Sequence, residues 1–232
     1  MTEQFVETAP FFLTGIGVTL LYTVLGAIAA LVVSFVLGLM SLSRAVAVRG
    51  FSRLVVEFFR GTSLVIQLLW IFFVLPQLGI RFEPIAAATI AFGLNFGAYG
   101  AEIVRGAVMS VPKAQWEATV ALGIGRVRRM RRIILPQALP EMIPPFGNLW
   151  IQILKSSSLL YLIGITELTY EVKQLQFDIG SLPAFSIALV VYFLIAQLLV
   201  VVIRGVESRA AARVGRGPRA VVIEGSQAVG AP

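Results

Sequence analysis

Four stretches of this chain carry no charged side chain at all: between Glu7 and Arg44, Arg60 and Arg81, Glu83 and Glu102, and Asp178 and Arg204. A charge at the centre of a bilayer costs about 2.5–3.5 kcal/mol on insertion scales, and backbone groups in hydrocarbon must bond one another. Uncharged runs of roughly 18 residues or more therefore read as helices that cross a membrane. A further apolar stretch, residues 142–165, is interrupted only by Lys155, and Pro144, Pro145 and Gly147 disturb its start. The expected fold is an all-α integral membrane protein with five transmembrane helices, near 14–41, 58–79, 85–105, 142–165 and 183–204. Composition agrees: 58% of the 232 residues are hydrophobic and 13% charged, against about 25% charged in an ordinary soluble domain.

The net charge of +7 would suit a nucleic-acid partner if it were spread over a soluble surface. It is instead concentrated in three segments between or after the apolar runs. Arg44, Arg49, Arg53 and Arg60 follow the first run, and Arg105, Lys113 and a cluster from Arg126 to Arg132 follow the third. The tail adds Arg204, Arg209, Arg213, Arg216 and Arg219, so that sixteen of the nineteen basic residues share one side. The positive-inside rule then places the N-terminus outside and the C-terminus in the cytoplasm, with the lipid bilayer as the first partner and no nucleic acid. Glu3 and Glu7 stand where a signal peptide would carry lysine or arginine, so the first run is expected to remain as a span.

Chemistry is limited by what is missing. There are no cysteines and no histidines, which removes thiolate nucleophiles, the commonest general base and the usual transition-metal ligands. No catalytic constellation and no metal site are expected. The chain has no G-x-x-x-x-G-K phosphate loop, so it is not expected to hydrolyse ATP. It also lacks the internal repeats and mid-membrane carboxylates that would mark a secondary transporter.

The polar connections differ in kind. Residues 1–10 read as a short external lead, 42–57 as a cytoplasmic connection turning at Gly50, 76–84 as a tight external turn, and 166–182 as a longer amphipathic external segment. Residues 206–232 read as a basic tail without periodicity, following a transmembrane domain of residues 1–205. The connection at about 106–140 is the longest. Ser110 and Pro112 suit a helix start, Lys113 to Leu122 favour helix, and Trp116 and Val120 lie one turn apart. Gly123 and Gly125 allow a tight reversal, and Pro136 is expected to stop the second, basic helix. Composition alone would allow a plain solvated connection here.

The spacing within that connection is more specific. Glu117-Ala118-Thr119, three residues, Gly123, nine residues, then Ile133-Ile134-Leu135-Pro136 resembles the cytoplasmic loop on which the ATPase docks in ABC-importer permeases, with Thr119 replacing the usual second alanine. Flanking segments extend the likeness to permeases of the polar amino-acid family of the histidine and glutamine type. They are Arg60-Gly61-Thr62-Ser63 with Gln67, Ala98-Tyr99-Gly100-Ala101-Glu102 with Arg105, Val111-Pro112-Lys113-Ala114-Gln115, Pro136-Gln137-Ala138, and Leu154-Lys155-Ser156-Ser157-Ser158-Leu159. Within that family the wording of residues 56–63, Gln115-Trp116-Glu117-Ala118 and Pro144-Pro145-Phe146-Gly147-Asn148 most resembles permeases for ectoine and hydroxyectoine, compatible solutes. Permeases for another polar or basic amino acid are the competing match.

The resemblance implies a permease subunit, not an enzyme, that forms the translocation path of an ATP-driven importer. Its partners would be a separate ABC ATPase holding ATP and magnesium, a second permease subunit, more naturally a sister chain than a copy, and an extracytoplasmic solute-binding protein. This chain would bind no cofactor. Glu117, Ala118, Gly123, Ile133, Leu135 and Pro136 would form the docking surface. For the substrate path, the polar groups that hydrocarbon would penalise are Lys155, Asn95, Tyr99, Gln67 and Ser157, with Thr62 and Gln152 as weaker candidates. Lys155 is placed mid-span, with Asn95 and Tyr99 one turn apart and positioned to face it. Glu102 is expected to pair with Arg105 at i,i+3 instead of lining the path.

Overall fold

A computed structural model describes residues 2–213, and every regular element among them is helical. Helix α1 (Thr2–Ser41) is followed by α2 (Val46–Gly61) and by α3 (Leu64–Leu69), which runs on through a π turn and a 3-10 turn to Leu78. After α4 (Pro84–Met109) come the short α5 (Lys113–Ala121) and α6 (Arg126–Arg129), a π turn, and α7 (Leu135–Ser156). A 3-10 segment (Ser157–Ile163), α8 (Leu168–Ile179) and α9 (Ser181–Arg213) complete the order.

Two helices are long and apolar enough to cross a membrane unbroken, over Phe12–Ser41 and Ser181–Arg209, and up to four spans result if each of two bent pairs counts as one. The lipid-type surface is visible on α1, where Leu20, Val24, Ile28, Val32 and Val36 recur every four residues and are all exposed. The same helix turns Thr19, Thr23, Ala30 and Ser34 inward.

Helix α4 is the centre of the bundle and packs chiefly on α1. Protein surrounds it on most sides, and more than half of its residues are buried. Small residues let its backbone approach α1: a Cβ added at Gly93 would lie 2.9 Å from Ala29 Cβ, and one at Gly97 would lie 2.5 Å from Val33 Cγ1. Gly93 and Gly97 form a G-x-x-x-G pair, the spacing that brings membrane helices into close contact. Ser34 adds a bond across the seam, its hydroxyl donating to the Gly97 carbonyl at 3.2 Å.

Element boundaries depart from the expected ones at four places. The 42–57 connection is mostly helix, with Gly50 inside α2 and not at a turn, and Ser52 Oγ ties α2 to α1 by donating to Leu37 O at 2.7 Å. The expected span at 58–79 is broken at Thr62–Ser63, where the chain bends by 103°. Ser110 closes α4 and does not cap α5: its N–H donates to Gly106 O at 2.9 Å and its hydroxyl to Ala107 O at 2.8 Å. Pro136 does not end a helix but sits in the first turn of α7, where a missing N–H costs nothing. The π turn Met130–Ile134 feeds directly into α7, which continues past Pro140, Pro144 and Pro145, so this helix begins well before residue 142.

At the other end of the bundle Glu167, expected in the external segment, is completely buried. Its carboxylate caps α8 by accepting from Tyr170 N–H at 3.0 Å and also accepts from the Tyr192 hydroxyl of α9 at 2.8 Å. Leu168 N–H donates to Thr19 Oγ1 of α1 at 3.2 Å. Three helices thus meet at one satisfied acceptor, which offsets the cost of burying it. The C-terminal helix continues to Arg213, beyond the expected end of the transmembrane domain, and the rest of the tail lies outside the described residues.

Candidate functional site

The connection between α4 and α7 folds as a compact hairpin. Pro112 precedes α5, its fixed φ suited to a helix start. At the far end Gly123 has φ +67, and the two bonds of a Schellman cap form: Gly123 N–H to Val120 O at 2.9 Å and Ile124 N–H to Thr119 O at 3.0 Å. Gly125 then starts α6, and the Arg129 guanidinium donates to Ile124 O at 3.1 Å, closing the turn from the inside.

The hairpin has an anchored side and a free side. Ile134 and Thr119 are buried, and the half-buried Trp116, Met130, Ile133 and Leu135 pack on the main core. The Thr119 hydroxyl donates to Trp116 O at 2.7 Å, so the departure from alanine is absorbed locally. Glu117, Ala118 and Gly123 face solvent, as does Pro136. Beside them Val120, Leu122 and Val127 are 59%, 75% and 71% exposed. Water should reject such a cluster at the tip of a basic hairpin, unless another surface covers it. Trp116 and Val120, expected one turn apart on one face, diverge: Trp116 turns inward and Val120 outward. The available signal was three aliphatic residues flanking a glycine turn among arginines.

The sequence-predicted path residues separate into groups. Asn95 and Gln67 come together: the Asn95 amide donates to Gln67 Oε1 at 3.2 Å and to Phe59 O at 3.1 Å. The Gln67 amide in turn donates to Thr62 Oγ1 at 2.6 Å and to Phe59 O at 3.0 Å. These bonds satisfy the carbonyls freed where α2 breaks from α3. Tyr99 is exposed, its hydroxyl 3.4 Å from Arg60 O and its ring 5.3 Å from the Arg60 guanidinium. Ser157 is buried and donates to Leu154 O at 2.7 Å. Lys155 is exposed in the last turn of α7, a favourable place for a cation at a helix C-terminus. No hydrogen bond or ion pair among the described residues joins it to Asn95 or Tyr99. Glu102 and Arg105 form the expected ion pair at 2.7 Å.

Comparison with known proteins adds an independent line. The family model described as "Binding-protein-dependent transport system inner membrane component" matches residues 23–211. A probable amino-acid ABC transporter permease protein, y4tF of Sinorhizobium fredii, is 43% identical over 84% of both chains. The glutamine transport system permease protein GlnP of Escherichia coli is 36% identical over 86% of this chain and 93% of its own. Among solved structures, one described as "Crystal structure of an amino acid ABC transporter with histidines" superposes with a TM-score of 0.81 at 29% identity, covering 89% of this chain and 97% of its own. An inward-facing MetNI methionine ABC transporter chain reaches a TM-score of 0.72 at 20% identity, over 86% and 96% of the two chains, a likeness of fold alone.

Proposed function

The chain belongs to the family of inner membrane components of binding-protein-dependent transport systems, and from that premise we propose that it is the permease subunit of an ATP-driven importer for polar amino acids, gripped by its ATPase at the α5–α6 hairpin. The observation that carries this reading is the free side of the hairpin: Glu117, Ala118 and Gly123 stand exposed beside uncovered Val120, Leu122 and Val127. Ile133 and Leu135 fasten the other side to the bundle. Force applied at the tip is then transmitted to α4 and α7, which flank the hairpin in the chain.

ATP and magnesium belong to the partner ATPase on this account. A solute-binding protein delivers substrate to the opposite face, and a second permease completes the path. Five spans with the hairpin in the cytoplasm follow from the charge distribution, α4 counting as the protein-covered third. Lys155 is the path residue we favour, because it is exposed within the otherwise uncharged 142–165 stretch, where a cation facing hydrocarbon would be costly unless it meets a cavity or an anionic group such as an amino-acid carboxylate. Asn95, Gln67 and Ser157 are engaged with backbone carbonyls and support the path from behind, while Tyr99 beside Arg60 is open to it. The relatives favour amino acids as the substrate class. Ectoine and hydroxyectoine are a narrower proposal within it, supported by the wording of residues 56–63 and 115–118.

The test is uptake by proteoliposomes holding this chain, its sister permease and its ATPase, supplied with the binding protein and a panel of labelled solutes including glutamine and ectoine. Accumulation should require enclosed ATP, and Lys155→Met should lower it or change the preferred solute. Uptake driven by a proton gradient without ATP would refute the reading. Unchanged uptake of every solute in the panel by Lys155→Met would remove that residue from the path.

A further inference from the structure

A cavity of about 710 Å³ lies between the hairpin and the bundle, outside the docking tip. Four basic residues line it: Arg44 from the α1–α2 connection, Lys113 from the start of α5, and Arg126 and Arg129 from beyond the turn. No acidic residue lines it. The Arg129 side chain is held at one end by Ile124 O, while its Nε is buried without a hydrogen-bond partner. Apart from Ser43, the rest of the wall is apolar, including Leu42, Val108, Trp116 and Met130. The apolar span of α1 ends at Ser41, one residue before Leu42 begins the wall. The cavity therefore stands at the level where hydrocarbon gives way to water.

We propose that this cavity binds the phosphate headgroup of an anionic phospholipid, with the four cations around the phosphate and the apolar wall against the glycerol and upper acyl chain. Clusters of basic residues beside membrane helices attract anionic lipid, each contributing about 1 kcal/mol near the surface, or about fivefold in binding. A free phosphate would satisfy the cations but not the apolar wall, and this decides for the lipid. The bound lipid would bridge the α1–α2 connection to the hairpin, so that membrane charge tunes how stiffly the hairpin follows its partner. The inference rests on the hairpin end of the bundle lying at a bilayer surface and is independent of the transported solute.

Trp116 is its own reporter once Trp70 and Trp150 are replaced by Phe, since the chain has three tryptophans. The full chain is placed in phosphatidylcholine vesicles containing either phosphatidylglycerol or phosphatidylcholine brominated near the glycerol end of the acyl chains. Brominated phosphatidylglycerol should quench Trp116 more strongly at equal mole fraction. Arg44→Gln and Arg126→Gln, both at exposed positions, should each reduce that preference about fivefold. Native mass spectrometry of the unaltered chain, extracted in mild detergent, should retain phosphatidylglycerol over phosphatidylcholine. Equal quenching by the two lipids, or a preference that survives both substitutions, overturns the proposal. Reversal of the quenching by soluble glycerol phosphate would make this a free-anion site, and loss of quenching when the ATPase subunit binds would assign the cavity to acidic residues of that partner; either result overturns it.

Discussion

Gly123 shows how much of the site depends on one backbone angle. Its φ of +67 places it where L side chains rarely sit, while a Cβ there would meet nothing within 4 Å. Substitution is therefore a conformational change without a steric clash in the bundle. Gly123→Val should cost roughly 1–3 kcal/mol of local strain, re-aim Val120 and Leu122, and leave the membrane helices intact. The expected result is hydrolysis of ATP with little uptake, read as transport per ATP consumed in the reconstituted complex. Uptake at the wild-type ratio would remove the turn from the docking role. The glycine was legible in the sequence because a chain reversal between two helical runs needs one. The aliphatic tip was not, since burial of Trp116 and exposure of Val120 depend on how the hairpin sits against α7 and the core.

Among the elements, α1 and α9 were readable from their uncharged runs, because a helix that meets lipid can carry almost no charge through the hydrocarbon. Helix α4 was found by the same rule, but its place at the centre came from Gly93 and Gly97, whose G-x-x-x-G spacing was present in the sequence. Gly97→Leu should separate α1 from α4, since even a Cβ would lie 2.5 Å from Val33 Cγ1. Overpacking of this kind costs about 1–3 kcal/mol and should lower the thermal midpoint of the detergent-solubilised protein. Gly106→Leu, where an added Cβ meets nothing within 4 Å, should leave it unchanged. Equal midpoints for the two variants would deny the tight seam. The break at Thr62–Ser63 is not legible in the sequence, for a physical reason. Apolarity measures what a segment will bury, not where it bends, and the bend is held by Gln67 and Asn95 reaching back to Phe59 O. Pro136 misled for the related reason that proline stops a helix from inside yet fits its first turn.

At the scale of the whole molecule, the chain presents two different ends. One gathers Glu167, Thr19 and Tyr192 into a closed polar knot that fastens α1, α8 and α9. The other leaves an aliphatic tip uncovered on a hairpin that is itself well anchored. On the proposed function, this uncovered tip is where the ATPase would push. Because the chain contains no cysteine, one introduced at Leu122, 75% exposed at the tip, reports on that surface without background. The decisive measurement is labelling of Leu122→Cys by a membrane-impermeant maleimide in oriented vesicles, with and without the ATPase subunit. Labelling should occur only from the cytoplasmic side and should be blocked when the ATPase is bound. Labelling from the periplasmic side, or at an undiminished rate with the ATPase in place, would contradict the account.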